Sequence, residues 1–330
     1  MEKAESLLTH FSEDTAPETF TALLEERGWI LPGEKVASVS VAGAGNMNVV
    51  LRLQTNWRSL ILKQSRPYVR KYPDIPAPAN RIDVEHRFYQ AISQIARLSC
   101  FPKIAAYDAT QHLLLMEDLG QTEDLTRLYA SRNVPDILLD SLAGALAGIH
   151  TAPAPSDFPD NLELRRLNHQ HIFVLPFLPE NGFSLDTVQP GLEGLAAPLR
   201  EDAKLKARVA ALGDAYLEQG QTLLHGDFYP GSWVEAGNAL FIIDPEFSFM
   251  GFPEFDLGVM AAHLYMSGMD PELARKTLGA YPLPYREETA LQVAGTEVVR
   301  RLIGLAQLPL ERSLEEKETL LKTARQWIMA

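Results

Sequence analysis

The sequence predicts an α+β fold in two lobes, a small strand-rich N-terminal lobe over residues 1–117 and a larger, mainly helical lobe over residues 118–330. Three observations carry this expectation. Short runs of strand character crowd the first third, between Val36 and Lys63. Helical spacing dominates after residue 136, and the whole chain of 330 residues is long for one hydrophobic core.

The elements follow in order. Residues 5–28 read as helical, with Thr15 and Glu18 spaced as a capping box, Pro17 suited to a first turn and Gly28 as the stop. Strands are expected over Val36–Val41, Asn48–Leu53 and Ser59–Lys63, the last two joined by a turn at Thr55–Arg58. A proline-rich loop over Tyr72–Asn80 leads to a helix over residues 81–97, and two short strands surround Tyr107 and Leu113–Met116. Residues 136–149 form a helix that Thr151–Ser156 breaks, and residues 193–219 read as one long amphipathic stretch. Two apolar, strand-like runs then flank a turn at Ala236–Asn238, before helices over 254–268, 286–307 and 313–329.

Composition narrows the function classes. The chain is 46% hydrophobic and 22% charged, ordinary for a globular protein. A net charge of -13, from 43 acidic and 30 basic residues, argues against nucleic acid or an anionic membrane as the main partner. A single cysteine, Cys100, excludes an intramolecular disulfide and a cysteine-based metal cluster. No apolar run has the length of a membrane span, and the N-terminus lacks the apolar core of a signal peptide, so the cytoplasm is the expected compartment. A homodimer stays open as the assembly state.

The chemistry concentrates at His225-Gly226-Asp227 through Ser232 and at Asp244-Pro245-Glu246. Each acidic centre follows an apolar run. In protein kinases the catalytic loop reads H-R-D-x-x-x-x-N, and a metal-binding Asp follows on the next hairpin. His225, Asp227 and Ser232 keep that spacing, with Gly226 and Ser232 replacing the Arg and the Asn. Asp227 is therefore expected to orient and deprotonate an acceptor hydroxyl, and Asp244, Glu246 and Ser232 to hold Mg²⁺, since carboxylates at i and i+2 of extended chain point to the same side and can face one ion. Upstream, Gly43, Gly45 and Asn46 lie in a turn between strands, where backbone N–H groups can approach phosphate oxygens. Lys63 ends a strand and is the candidate for the ATP α/β-phosphates, steadied by Glu85 or its rival Asp83. Met116, Glu117 and Leu119 form the connector expected to meet the adenine edge.

This ordered set resembles the aminoglycoside phosphotransferase and choline kinase superfamily, which has a protein-kinase-like fold and writes its catalytic loop H-G-D. Within it the chain is most similar to the methylthioribose kinases. The shared features are Gly45-Asn46-Met47-Asn48-Val49, Lys63 through Arg70, Ser232, Asp244-Pro245-Glu246-Phe247, the Gly251–Asp256 run and Arg300-Arg301-Leu302-Ile303-Gly304-Leu305-Ala306. The resemblance implies an ATP- and Mg²⁺-dependent kinase acting on a sugar hydroxyl, with Arg300 and Arg301 on the acceptor. Taken without it, the two arginines read as solvent-facing. The family's Asp-Leu-His-Thr-Gly-Ser loop is Asp227-Phe228-Tyr229-Pro230-Gly231-Ser232 here, close to where an acceptor binds.

Two guanidiniums beside a polycationic aminoglycoside would repel it, whereas they offer donors to a neutral polyol. A choline-like or amino-alcohol acceptor calls for an aromatic cage, for which Tyr229, Trp233 and Tyr265 are the candidates. The reading from another class is a regulatory module that binds nucleotide without catalysis. It would have no need for the base Asp227.

Overall fold

The computed structural model describes residues 9–43, 45, 47–95 and 98–330. Asn46, one of the expected phosphate-loop residues, lies outside them, as do residues 5–8 of the first expected helix. A five-stranded antiparallel sheet dominates the N-terminal part. Its strands are β1 (Val36–Val41), β2 (Val49–Thr55), β3 (Ser59–Gln64), β6 (Ile104–Asp108) and β7 (Leu113–Glu117), in the order β1-β2-β3-β7-β6. Two short strands, β4 (Tyr68–Val69) and β5 (Tyr72–Pro76), form a hairpin within the segment expected to be a proline-rich loop. Leu51, Leu53, Leu60 and Leu62 share a buried core with Phe20 and Leu24 of helix α1 (Pro17–Glu26).

Helix α1 is shorter than expected, and its start differs. Ala16 precedes it without a side-chain cap, and the Thr15 hydroxyl instead accepts from the Ser12 N–H at 3.0 Å. The local Ser/Thr turn wins over the capping box. Helix α2 (Arg81–Ile92) lies against the sheet.

Beyond β8 (Glu123–Asp124) the chain is mainly helical: α3 (Leu128–Ser131), α4 (Asp136–His150), α5 (Leu162–His169), α6 (Leu192–Glu201) and α7 (Ala203–Leu217), then, after the strands below, α8 (Glu254–Gly268), α9 (Pro271–Gly279), α10 (Glu287–Ile303) and α11 (Leu314–Met329). The expected single stretch over 193–219 is two helices. Asp202 leaves the helical conformation and accepts from the N–H groups of Lys204 and Leu205, which caps α7. Helix α9 was not foreseen, although Asp270 before Pro271 is a start signal. Helix α8 is buried around its whole circumference from Glu254 to Ser267, so it is the axis of this part and packs on α10, α9 and α3.

The strands around the two acidic loops pair differently from a simple hairpin. β9 (Thr222–Leu224) pairs with β12 (Phe249–Gly251), and β10 (Trp233–Ala236) pairs with β11 (Ala239–Ile242). The two acidic loops thus connect two small sheets and are fixed at both ends.

Candidate active site

Lys63 sits on β3, the central strand of the large sheet, in register with Val50 and Leu114. Its ammonium is buried and lies 2.7 Å from Glu85 Oε2 and 2.6 Å from Asp244 Oδ1. Glu85, not Asp83, is therefore the helix partner; Asp83 accepts from the Tyr107 hydroxyl instead. Burial works against the charged lysine, but Asp244, Glu85 and Glu246 outweigh it and raise its pKa above the ordinary lysine range. Burial also raises the Glu85 carboxyl against the pull of Lys63. With half-exposed Asp244 as a second partner, the ammonium stays protonated.

Asp244 adopts a left-handed backbone at φ 61°, and a 3₁₀ turn over Pro245–Phe247 follows at once. The expectation that Asp244 and Glu246 project to one side of extended chain is corrected here. Glu246 turns away into a buried network. Its Oε2 accepts from Asn48 Nδ2 at 2.9 Å and lies 3.1 Å from Arg81 Nε.

Arg81 is the residue that sequence reading missed. It is fully buried, and its guanidinium also donates to Asn48 Oδ1 and to the carbonyls of Met47, Arg66 and Pro78. One planar fork thus ties the segment after the glycine turn to the Asp-Pro-Glu loop. Gly45 has almost no room beside it, since a Cβ there would lie 3.1 Å from the Asn48 carbonyl; Gly43 faces open space.

The His225–Asp227 loop is held by Asp256 in the first turn of α8. Its two carboxylate oxygens accept from the N–H groups of His225 at 2.7 Å and Gly226 at 2.9 Å. Gly226 is at φ +83°, and a Cβ would stand 2.2 Å from the Phe247 carbonyl oxygen, so only glycine lets the two acidic loops approach this closely. The His225 ring bridges the same loops: Nδ1 accepts from the Asp227 N–H at 3.3 Å, which leaves Nε2 to donate to the Ile243 carbonyl at 3.0 Å. The Ser232 hydroxyl donates to the Asp227 carbonyl at 2.9 Å, and its lone pairs remain available on the crevice wall.

Asp227 points into the crevice between the lobes. Burial pushes its carboxyl up to about 6, against the pull of Arg301 and Arg300. Arg301 Nη2 lies 3.6 Å from Asp227 Oδ1, and its guanidinium lies over the Tyr229 ring at 4.9 Å. Both arginines are more than nine-tenths buried, so the solvent-facing reading is corrected. Glu297, one turn earlier on α10, makes this tolerable. It accepts from Arg301 Nε at 2.6 Å and Arg300 Nη1 at 3.0 Å, and it meets His263 Nε2 at 3.1 Å. The two arginines hold Glu297 well below the usual carboxylate range despite its burial.

One crevice of about 70 Å³ brings together Gly45, Lys63, Asp227, Ser232, Asp244 and Glu246. A neighbouring cavity of about 110 Å³ is lined by Val50, Ile61, Lys63, Met116, Glu117 and Leu119, where the adenine-side connector was expected. Asp118 fixes that connector by accepting from Arg52 at 2.6 and 3.0 Å. The Glu117 N–H is spent on the Lys103 carbonyl at 2.9 Å. The three expected cage aromatics are dispersed: Trp233 packs on Phe228, Tyr265 on Trp327 and Tyr229 on His263.

A sheet-rich lobe and a helical lobe, with a strand lysine paired to a helix glutamate and two acidic loops on one crevice, define a small-molecule kinase that phosphorylates a hydroxyl. Residues 38–291 match the phosphotransferase enzyme family, and the chain belongs to it. Among curated proteins it is 26% identical over 325 residues to a methylthioribose kinase of Exiguobacterium sibiricum, covering 84% of this chain and 82% of that protein. It is 25% identical over 363 residues to a methylthioribose kinase of Yersinia pseudotuberculosis, covering 91% and 88%. Among solved structures, choline kinase LicA from Streptococcus pneumoniae superposes with a TM-score of 0.53 at 15% identity, covering 94% of this chain and 99% of that one. The AMP-bound complex of spectinomycin phosphotransferase gives 0.56 at 15% identity, covering 95% and 98%. These structures establish the shared fold.

Proposed function

We propose that the chain transfers the γ-phosphoryl group of ATP to a hydroxyl of a methylthioribose-like sugar, with Asp227 as the base that orients and deprotonates that hydroxyl. The observation that carries the reading is the arrangement of Asp227 and Asp244 on one crevice, with Lys63 and Glu85 behind them. In this reading residues 1–117 are the nucleotide-binding lobe and residues 118–330 the catalytic and acceptor lobe. Lys63 positions the α/β-phosphates. Gly43, Gly45 and Asn46 are assigned to the phosphates, and Met116, Glu117 and Leu119 receive the adenine.

The residues present fit Mg²⁺. The Asp244 carboxylate is half-exposed toward the crevice and Ser232 adds an oxygen donor on the same wall, while Glu246 lines it with Oε2 already engaged by Asn48 and Arg81. Among the described residues no group of three His, Cys, Asp or Glu forms a cation cage. That suits an ion whose remaining ligands are phosphates and water. When bound, it neutralises charge on the phosphates. Asp244 would hold it with one oxygen while Lys63 keeps the other in place.

The acceptor assignment draws on the similarity to methylthioribose kinases and on the arginine pair beside Asp227. Guanidiniums donate to sugar hydroxyls and disfavour a polycationic aminoglycoside. The dispersed aromatics give a choline-like cation no cage. The test is Mg²⁺-dependent ADP release with methylthioribose, ribose, choline and an aminoglycoside as separate acceptors. Turnover with methylthioribose above the others is expected. Turnover confined to choline or the aminoglycoside would overturn the acceptor assignment, and ATP binding without any turnover would favour the regulatory reading.

A further inference from the structure

Helix α8 supports the active site at two points along one face. Asp256 grips the His225–Gly226 backbone from its first turn, and His263 stands two turns further on, fully buried. The His263 ring meets three groups. Nε2 lies 3.1 Å from Glu297 Oε1, Nδ1 lies 2.6 Å from the Tyr129 hydroxyl, and the ring centroid is 5.3 Å from that of Tyr229. Glu297 and Tyr229 are in turn the groups on which Arg301 rests, at 2.6 and 4.9 Å. A continuous chain of contacts therefore runs from Tyr129 through His263, Glu297 and Arg301 to Asp227.

The charges along this chain fix where its protons sit. Glu297 is ionised between two guanidiniums and can only accept, so His263 Nε2 must donate to it. Burial keeps the imidazole neutral, which leaves it one N–H to give. Nδ1 then carries a lone pair, and the Tyr129 hydroxyl, kept protonated by burial, donates to it. The other tautomer would turn the Nε2 lone pair toward the Glu297 carboxylate at 3.1 Å. In a neutral imidazole, the hydrogen bond made by one nitrogen selects the proton on the other. Tyr129 makes that selection here. It is completely buried on the short helix α3, which packs on α8, and it does not line the crevice.

We propose that Tyr129 and His263 are positioning residues for the acceptor: Tyr129 locks the Nε2–H tautomer of His263, and His263 steadies the Glu297 carboxylate that sets Arg301 beside Asp227. The inference rests on the reading of Arg301 as an acceptor contact. It makes acceptor affinity depend on a hydroxyl that the acceptor does not touch.

The test has two arms, with wild type, Tyr129→Phe, His263→Phe, His263→Gln and the double variant Tyr129→Phe/His263→Gln. In the first, steady-state kinetics give KM for methylthioribose and for ATP separately. His263→Phe should raise the acceptor KM about tenfold or more and Tyr129→Phe about threefold or more, with the ATP KM unchanged in both. His263→Gln should stay near wild type, because its amide can donate to Glu297 without a choice of tautomer. Adding Tyr129→Phe to that background should then cost little further. A wild-type acceptor KM in folded His263→Phe, or equal increases in both KM values, would overturn the proposal. So would a Tyr129→Phe effect of the same size in the His263→Gln background.

The second arm needs no acceptor. Long-range proton–nitrogen NMR of the imidazole rings at pH 7 should show His263 as the Nε2–H tautomer, its signals assigned by their absence in His263→Gln. That single tautomer should be lost in Tyr129→Phe. An Nδ1–H ring in wild type, or an unchanged spectrum in Tyr129→Phe, would overturn the proposal whatever the acceptor is. If wild type turns over another sugar or alcohol in place of methylthioribose, the acceptor assignment falls, and the same KM comparison is read with that substrate.

Discussion

Arg301 Nη2 lies 3.6 Å from Asp227 Oδ1, and the same guanidinium is anchored by Glu297 at 2.6 Å. The arginine thus offsets part of the burial that pushes the Asp227 carboxyl up to about 6. A base raised this far remains ionised at neutral pH and is a better proton acceptor than an ordinary aspartate.

The pH dependence of turnover follows. The ionised form is the active one, so kcat/KM should fall as pH drops through about 6 in wild type. Arg301→Met removes a charge that lowers the Asp227 pKa, so the acidic limb should move to higher pH while the KM for ATP stays unchanged. A pH–rate profile of both proteins measures this. An unmoved limb would separate Arg301 from the base.

Stability should respond with the opposite sense. Because the folded pKa of Asp227 is raised above the ordinary aspartate value of 3.8, the folded state binds more protons than the unfolded one between that value and about 6. Stability from this group is fully present below the lower value and is lost as pH rises to the upper one. Asp227→Asn should abolish phosphoryl transfer yet unfold at higher denaturant than wild type at pH 8, by about 1–3 kcal/mol. Urea titrations at pH 4.5 and pH 8 should show a clearly smaller gap at the lower pH.

Glu297 should be structurally indispensable. Glu297→Ala leaves Arg300 and Arg301 buried without their carboxylate, and it removes a partner of His263. A loss of about 3–5 kcal/mol is expected from breaking a buried ion pair on one side. Chemical denaturation measures it. Burial keeps His263 neutral, with its pKa down to about 4, so the ring adds no third positive charge beside the two arginines but also supplies no counter-charge.

Gly226→Ala should be destabilising and inactive together. The φ of +83° strains any L side chain, and the new Cβ meets the Phe247 carbonyl oxygen of the other acidic loop. A cost of about 1–3 kcal/mol is expected. Melting temperature and ADP release should both fall, and a fully active variant would mean that the loops can part without loss.

Much of this was readable from residue order. Lys63, Glu85, Asp227 and Asp244 stand out because each lies at the end of an apolar run or on a periodic helix, and the structure brings Lys63, Asp227 and Asp244 to one crevice with Glu85 behind the lysine. What escaped depends on tertiary contacts. Arg81 opens a helix after a proline-rich loop and looks like a surface charge, yet it is buried against five polar partners from three segments. Glu297 carried a usable signal, since it stands three and four positions before the two arginines on a helix. Glu246 was misdirected by treating Asp244–Glu246 as extended chain, whereas the left-handed Asp244 turns it toward Arg81. The break at Asp202 was hidden because apolar spacing continues on both sides of it.

Phosphorus NMR of an ATP and Mg²⁺ reaction with methylthioribose, run with wild type and Asp227→Asn at equal concentration, tests the central claim most directly. A new sugar-phosphate resonance with wild type, reduced by a factor of about 10² or more in the variant, is the predicted result. The same product formed at an undiminished rate by Asp227→Asn would contradict the assignment of Asp227 as the base.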